Sequence, residues 1–302
     1  MKKLFILAVI VLAVTAMGMA QNYSPTTDVL GAHQNNGRGC AGCHAPHSGS
    51  RGAGQAGTND SGTYALWGQD VGPIAGKTLA FGDNGKYVEV LPSTITSGTI
   101  EVGGILLCLS CHDGNYTQTN MMAKSSYEQR LGLLPAAYGT QPIPTLLGAD
   151  GAGANGNYTN DHPVGANATI SVGSGLVSTN GVLTVTAGSQ YAQFVANYGW
   201  PALAPGKYSS PTGINSANKP FVVCTTCHNQ HVMNVYAASA NSPIAGATTG
   251  YYQTFFFVNG PYNPTVNTLT TGGAASTTQF CRQCHFGESN EANNATGIKT
   301  VL

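Results

Sequence analysis

Apolar residues in this chain are grouped in short stretches, with one longer run near the start. The run covers Leu4 to about Ala16, and after it the pattern is broken every few residues by Gly, Ser, Thr and Asn. No later stretch sustains a 3.6-residue apolar period long enough for a bundle helix. The pattern therefore predicts a mostly coil chain with short elements, including one modest helix at Met121–Leu133.

Alternation of apolar and polar positions predicts several short strands. Tyr87–Leu91 and Thr99–Val102 are two candidates, separated by turn-forming residues. Alternation at Ala168–Val172 and Val182–Ala187, joined by Gly-rich turns, predicts a β-hairpin that forms a surface insertion. The aromatic stretch Tyr251–Val258 predicts a further strand, which we expect to cover an internal group rather than to form an exposed contact surface.

The amino-terminal segment has the composition of a secretory leader. Lys2 and Lys3 precede the apolar run, and Gly18 to Ala20 supplies the small residues of a cleavage site. The run is short for a membrane anchor, and no stop-transfer flank follows it. We therefore predict a signal peptide at residues 1–20 and a single mature domain at residues 21–302, with no membrane span after the leader is removed.

All eight cysteines of the chain belong to four copies of the pattern C-x-x-C-H. This pattern is typical of covalent haem attachment, in which two thiols add to the vinyl groups of a haem and the adjacent imidazole binds its iron. The predicted attachment residues are Cys40, Cys43, Cys108, Cys111, Cys224, Cys227, Cys281 and Cys284, and the predicted proximal ligands are His44, His112, His228 and His285. The cofactors predicted are therefore four covalently bound haem c groups.

The histidine count supports two imidazoles on every iron. The chain has eight histidines, as four irons with two axial ligands each would need, and the four that stand apart from the cysteine pairs are His33, His47, His162 and His231. His47 and His231 each follow a proximal histidine by three residues, a reach of at most roughly 10 Å. Because the path around a haem rim is longer, each should serve a different haem from its neighbour. His33 and His162 stay unassigned.

Two other uses of paired cysteines explain the pattern less well. Zinc ribbons bring two C-x-x-C pairs together around one ion, and exported chains often pair their cysteines in disulfides. Neither accounts for a histidine after every second cysteine, and each of the four pairs here carries a complete haem-attachment set.

Charge is sparse and balanced, with 12 basic and 12 acidic residues among 302. Such a surface opposes self-association only weakly, and without a basic stripe nucleic acid is not expected as a partner. The chain is also rich in glycine, so we expect haem faces to supply much of the core and the aromatic stretch near residue 251 to cover one of them.

At this point the chain resembles a known family. The chain is similar to extracellular tetrahaem c-type cytochromes that polymerise into filaments, the OmcE-type cytochrome nanowire subunits. The similarity lies in the small-residue leader, the stretch from Gly31 to Gly49 around the first motif, the CLSCHDG and DHPVG segments and the closing C-x-x-C-H. The resemblance implies a mostly coil fold with short helices at the haem motifs and a few short β-hairpins. It also implies a continuous chain of haems through stacked subunits, with a histidine at the position of His47 ligating a haem of the adjacent subunit.

The resulting functional prediction is electron transfer by hopping along four bis-His haems, as the subunit of a helical homopolymer on the cell exterior. Its partners would be other copies of the chain, other redox proteins and extracellular electron acceptors. A monomeric periplasmic electron shuttle with the same haems is the alternative. A multihaem enzyme is a third reading, but it needs an iron with an open position, and the histidine count leaves none. We therefore predict that the chain is not an enzyme.

Overall fold

The computed structural model describes the parts of the chain around three of the four motifs. Its described residues are 30, 33, 39–44, 66–82, 85–95, 99–117, 146, 154–170, 175–179, 182–189, 191–192, 195, 203–204, 206, 219–232, 235–237, 251–253 and 257–259. Within them the fold is mostly coil, with few short helices and small strands. The predicted leader at residues 1–20 and the predicted helix at Met121–Leu133 lie outside the described residues.

The longest described element is helix α1, Ile100–His112, which ends in the second cysteine motif. Its buried residues Val102, Ile105, Leu106 and Leu109 recur at helical spacing and form one apolar stripe. The predicted strand at Thr99–Val102 is therefore wrong, because this stripe continues well beyond the four residues whose alternation suggested a strand. Gly103 lies on the same helix, and a Cβ added there would come within 2.9 Å of the Ile95 side chain. The glycine therefore allows Ile95 to pack closely against the helix backbone.

A three-stranded sheet packs beside this helix. Strand β1, Thr78–Phe81, pairs antiparallel with β2, Tyr87–Val90, and parallel with β3, Asn157–Tyr158. The strand predicted at Tyr87–Leu91 is thus confirmed, with its end one residue earlier. Gly85, in the connection from β1 to β2, has a φ of +81°, a conformation that favours glycine.

A separate hairpin joins β4, Leu176–Thr179, to β5, Val182–Val185, with Thr179 opposite Val182. The predicted second arm is confirmed, but the first arm predicted at Ala168–Val172 is wrong. In the sequence Asn180 and Gly181 stand between the observed strands, and this dipeptide favours a two-residue hairpin turn. Thr169 instead forms a bridge with Phe221, beside the third cysteine motif.

Two further strands lie after the third motif. Strand β6, Val235–Ala237, pairs antiparallel with β7, Tyr251–Gln253. Strand β7 therefore occupies the first three residues of the predicted aromatic strand. At the other end of that stretch, Val258 forms an isolated bridge with His228.

The main described core is built from aliphatic and aromatic side chains of α1, the three-stranded sheet and the segment before the third motif. Its buried members are Val71, Ile74, Leu79, Phe81, Leu91, Val102, Ile105, Leu106, Leu109, Tyr158, Ala166, Ala204, Phe221 and Val223. The second motif includes the buried Leu109 and Ser110 of α1, and the third follows the buried Val223. The core therefore holds these two motifs against one another. That haem faces supply part of the core stays a prediction.

A buried acid lies at the edge of this core. Glu89 on β2 is only 1% exposed, and its Oε2 accepts a hydrogen bond of 3.3 Å from the backbone N–H of Asn167. An added Cβ on Gly165 would approach Glu89 Cγ to 2.6 Å, so glycine is required for this close approach. Burial raises the pKa of Glu89 to about 7, although backbone hydrogen bonds from Asn167 and Ala166 oppose the shift.

Candidate functional site

Each described cysteine motif is wound as one helical turn. The backbone N–H of His44 donates to Cys40 O over 2.8 Å, and that of His228 donates to Cys224 O over 3.1 Å. The second motif forms the last turn of α1. A turn of this kind places both thiols and the imidazole of one motif close together, as attachment of a single haem requires.

Trp67 connects the first motif to the second. It forms an isolated bridge with His44, and the two rings meet edge to face with centres 5.8 Å apart. The indole Nε1–H donates a 3.0 Å hydrogen bond to the hydroxyl of Ser110, which lies inside the second motif and is fully buried. Trp67 therefore holds two motifs that are distant in the sequence at a fixed separation.

The first and third motifs meet through a pair of histidines. The rings of His44 and His231 have centres 6.2 Å apart and planes inclined by 14°. His231 is the histidine that follows His228 by three residues. It therefore lies against the proximal histidine of a motif other than its own.

A second histidine pair joins the amino-terminal arm to the second motif. The rings of His33 and His112 have centres 6.1 Å apart and are nearly perpendicular, at 82°. The Nδ1 of His33 lies 3.2 Å from the backbone oxygen of Gln230 in the third motif segment. Because a carbonyl oxygen only accepts, Nδ1 carries the proton, and Nε2 is left with a lone pair for a metal.

The surroundings of His33 also favour its neutral form. Burial lowers the pKa of His33 to about 4, with nearby His112, His228 and His231 acting in the same direction. The hydrogen bond to Gln230 opposes this shift without cancelling it. A neutral imidazole is the form that binds a metal ion.

The second and third motifs also touch through their first cysteines. The Cys108 and Cys224 side chains share a hydrogen bond, and this contact together with burial raises the pKa of the Cys224 thiol. None of the six cysteines in the described part of the chain is joined to another in a disulfide. A disulfide framework is therefore absent from that part of the chain.

Asp113 fixes the end of the second motif. This buried carboxylate directly follows His112 and accepts backbone N–H bonds from Asn115 at 2.9 Å, from Thr117 at 3.0 Å and from Tyr116. The hydroxyl of Tyr158 on β3 donates a further hydrogen bond to it. The carboxylate thereby ties the motif to the sheet.

The structure does not group all of the predicted site residues. His162 is exposed, and its Nδ1 lies 2.9 Å from the backbone oxygen of Pro163. His47, Cys281, Cys284 and His285 lie outside the described residues. Three motifs, His33 and His231 are thus brought together.

The described residues fit the haem that the motifs imply. Two imidazoles on opposite sides of one metal, each bonded at about 2 Å, have ring centres roughly 6 Å apart, and the two histidine pairs lie at 6.1 and 6.2 Å. No group of three or more His, Cys, Asp or Glu side chains that could hold a metal ion occurs within the described ranges.

Comparisons with known proteins add nothing to the interpretation of these residues. No family model, curated protein or solved structure matches the chain. In the described portion of the fold, no helix has the length and apolar character needed to span a membrane.

Several residues that shape this site were not predicted from the sequence. Trp67, Ser110, Asp113 and Gln230 act through contacts with distant parts of the chain, which no local pattern indicates. Trp67 is one of only two tryptophans, a weak signal that could have drawn attention to it. Phe257 lies in the predicted aromatic strand, but the stacking of its ring on that of His33, with centres 4.3 Å apart, was not predicted.

Proposed function

We propose that this chain is an electron-transfer protein that carries four covalently bound haem c groups, with two histidines on each iron. The observation that carries the proposal is the combination of four C-x-x-C-H motifs with two histidine pairs separated by 6.1 and 6.2 Å. On this basis His44 and His231 would bind the iron at the first site, and His112 and His33 would bind it at the second.

The residues of each motif hold and orient the cofactor. The two cysteine sulfurs of a motif would attach the haem covalently, and a pair of histidines would bind its iron. When bound, the haem iron supplies reversible one-electron oxidation and reduction. Two imidazoles per iron leave no open position for a substrate, which argues against an enzyme. Bis-imidazole ligation also favours lower potentials than ligation by histidine and methionine.

The third motif occupies the central place among the three described sites. It supplies His231 to the first site, and its Gln230 carbonyl accepts the hydrogen bond from His33 of the second site. Its Cys224 also contacts Cys108 of the second motif. The third motif therefore contacts both of the other described motifs, and its residues would help to hold the haems at all three sites.

We propose further that the exported chain assembles into an extracellular filament in which His47 ligates a haem of the adjacent subunit. The sparse charge of the chain and its resemblance to filament-forming cytochromes support this assembly. The alternative, a monomeric periplasmic shuttle, uses the same haems and ligands.

Mass spectrometry and optical spectroscopy of the purified protein test the electron-transfer proposal. We expect four haem additions and only low-spin iron, and fewer additions or a high-spin ferric signal would count against it. Electron microscopy of the cell exterior tests the assembly. We expect filaments from the wild type and fewer or shorter ones from His47→Ala, with all four haems still attached, whereas a monodisperse wild-type monomer would favour the shuttle.

A further inference from the structure

An aromatic side chain outside the predicted ligand set packs directly on one of the proposed ligands. The rings of Phe257 and His33 are stacked, with centres 4.3 Å apart and planes inclined by 29°. Phe257 is 8% exposed, so the contact lies inside the protein. The stacked face of His33 is therefore covered by a defined neighbour.

The backbone at Phe257 adopts a conformation that aromatic residues rarely have. Its φ is +57°, in the left-handed region where a Cβ is crowded by the backbone. Flanking hydrogen bonds hold this turn on the third motif: Asn229 N–H donates to Phe257 O over 2.8 Å, and Asn259 N–H donates to Cys227 O over 2.7 Å. Such a conformation persists where surrounding contacts determine it, often beside functional groups.

Two contacts together fix the orientation of the His33 ring. The hydrogen bond to the Gln230 carbonyl sets the direction of Nδ1, but it leaves the ring free to rotate about that bond. Stacking on Phe257 removes this remaining freedom. Both contacts come from the third motif or from the turn fastened to it, although His33 lies beside His112 of the second motif.

We propose that Phe257 is a positioning residue that sets the plane of the His33 imidazole, so that the third motif controls the ligand geometry of the second site. This inference rests on the proposed haem function. Phe257 contacts the proposed ligand and not the metal, so its effect on the iron would pass through the nearly perpendicular arrangement of His33 and His112. A change in that angle alters the electronic environment of one iron among four.

The test uses the mature, haem-loaded protein with three substitutions at position 257. Phe257→Leu keeps an apolar side chain without a ring, Phe257→Tyr keeps the ring, and Phe257→Gly removes the ring while accepting the positive φ. Val258→Ala is the matched control, since Val258 is buried in the same turn and forms its bridge with His228. Electron paramagnetic resonance and a spectroelectrochemical titration give the readouts.

We expect Phe257→Leu and Phe257→Gly to shift or broaden one low-spin signal and to move one of the four potentials, with four haems still attached. Phe257→Tyr should retain the wild-type signal, and Val258→Ala should leave that signal unchanged. Unchanged spectra and potentials in both the Leu and Gly variants would overturn the positioning role alone. A wild-type protein without covalent haem would overturn the proposed function as well, so the two failures are distinguishable.

Discussion

The hydroxyl of Tyr158 donates a hydrogen bond to the carboxylate of Asp113, which directly follows the second-motif histidine. Tyr158 lies on β3, 45 positions later in the chain, and both residues are fully buried. The contact joins the three-stranded sheet to the end of helix α1. The position of His112 therefore depends on the packing of the sheet as well as on its own motif.

Removing this hydroxyl should destabilise the protein. In Tyr158→Phe the buried carboxylate loses a donor, and we expect the free energy of unfolding to fall by about 1–3 kcal/mol. Urea denaturation measures the change, with Tyr87→Phe as a control because Tyr87 is a half-buried tyrosine of the same sheet. Equal stabilities of Tyr158→Phe and wild type would show that the contact contributes nothing.

Replacement of His231 should affect the first site rather than the third. Because the His231 ring lies 6.2 Å from that of His44, we expect His231→Ala to convert one iron to a five-coordinate, high-spin form while four haem masses remain. Optical and electron paramagnetic resonance spectra measure the spin state. Val232→Ala, a change at an exposed neighbour, serves as the control. A fully low-spin His231→Ala protein would contradict the pairing.

The two histidine pairs should give different spectra. The planes of His44 and His231 are nearly parallel, at 14°, whereas those of His33 and His112 are nearly perpendicular, at 82°. Parallel imidazoles on ferric iron give a rhombic low-spin signal, and perpendicular ones give a strongly anisotropic signal with one large g value. We therefore expect both signal types in the wild type and loss of a rhombic one in His231→Ala. A single signal type from all four irons would be inconsistent with this geometry.

Glu89 should make stability depend on pH. Its pKa rises from an ordinary 4.5 to about 7 on folding, so the folded state binds its proton more tightly than the unfolded state. The associated stability is fully present below about pH 4.5 and is lost as the pH rises through about 7. Glu89→Gln should remove this dependence and stabilise the protein at pH 8, by at most on the order of 3 kcal/mol.

Urea unfolding of both proteins at pH 5 and pH 8 measures this effect. The difference between wild type and Glu89→Gln isolates the contribution of Glu89, because every other residue is the same in both proteins. The free energy of unfolding of Glu89→Gln should increase relative to that of the wild type as the pH rises. A constant difference in stability between the two proteins at both pH values would rule out the titration of Glu89 in this range.

The sequence predicted local features of the site and left the long-range ones open. The spacing C-x-x-C-H indicated where the thiols and proximal imidazoles are, and a single helical turn explains why this spacing suffices. The reach argument also predicted that His231 serves a haem other than that of His228, and this ligation stays a prediction. The packing of distant segments decides that His231 lies beside His44 and that His33 lies beside His112. The spacing of residues within a motif does not predict this packing.

The errors in the predicted fold have a similar origin. Four alternating residues at Thr99–Val102 suggested a strand because the helical stripe from Val102 to Leu109 is interrupted by Gly103 and Gly104. These glycines disfavour a helix by about 1 kcal/mol each, and packing against the core compensates for them. At the hairpin, the Asn180–Gly181 dipeptide was a better guide than alternation at Ala168–Val172.

The hydrogen bond between His33 and Gln230 joins positions 197 residues apart. In a chain exported amino end first, as the leader predicts, His33 and His112 both emerge well before the carbonyl that orients His33. On the proposed function, the second motif would receive its haem early, whereas His33 would be held in place only after the third motif had crossed the membrane. Maturation of the second site would then be a late event in biogenesis, and a truncated chain that ends before residue 230 would be left with a poorly oriented ligand.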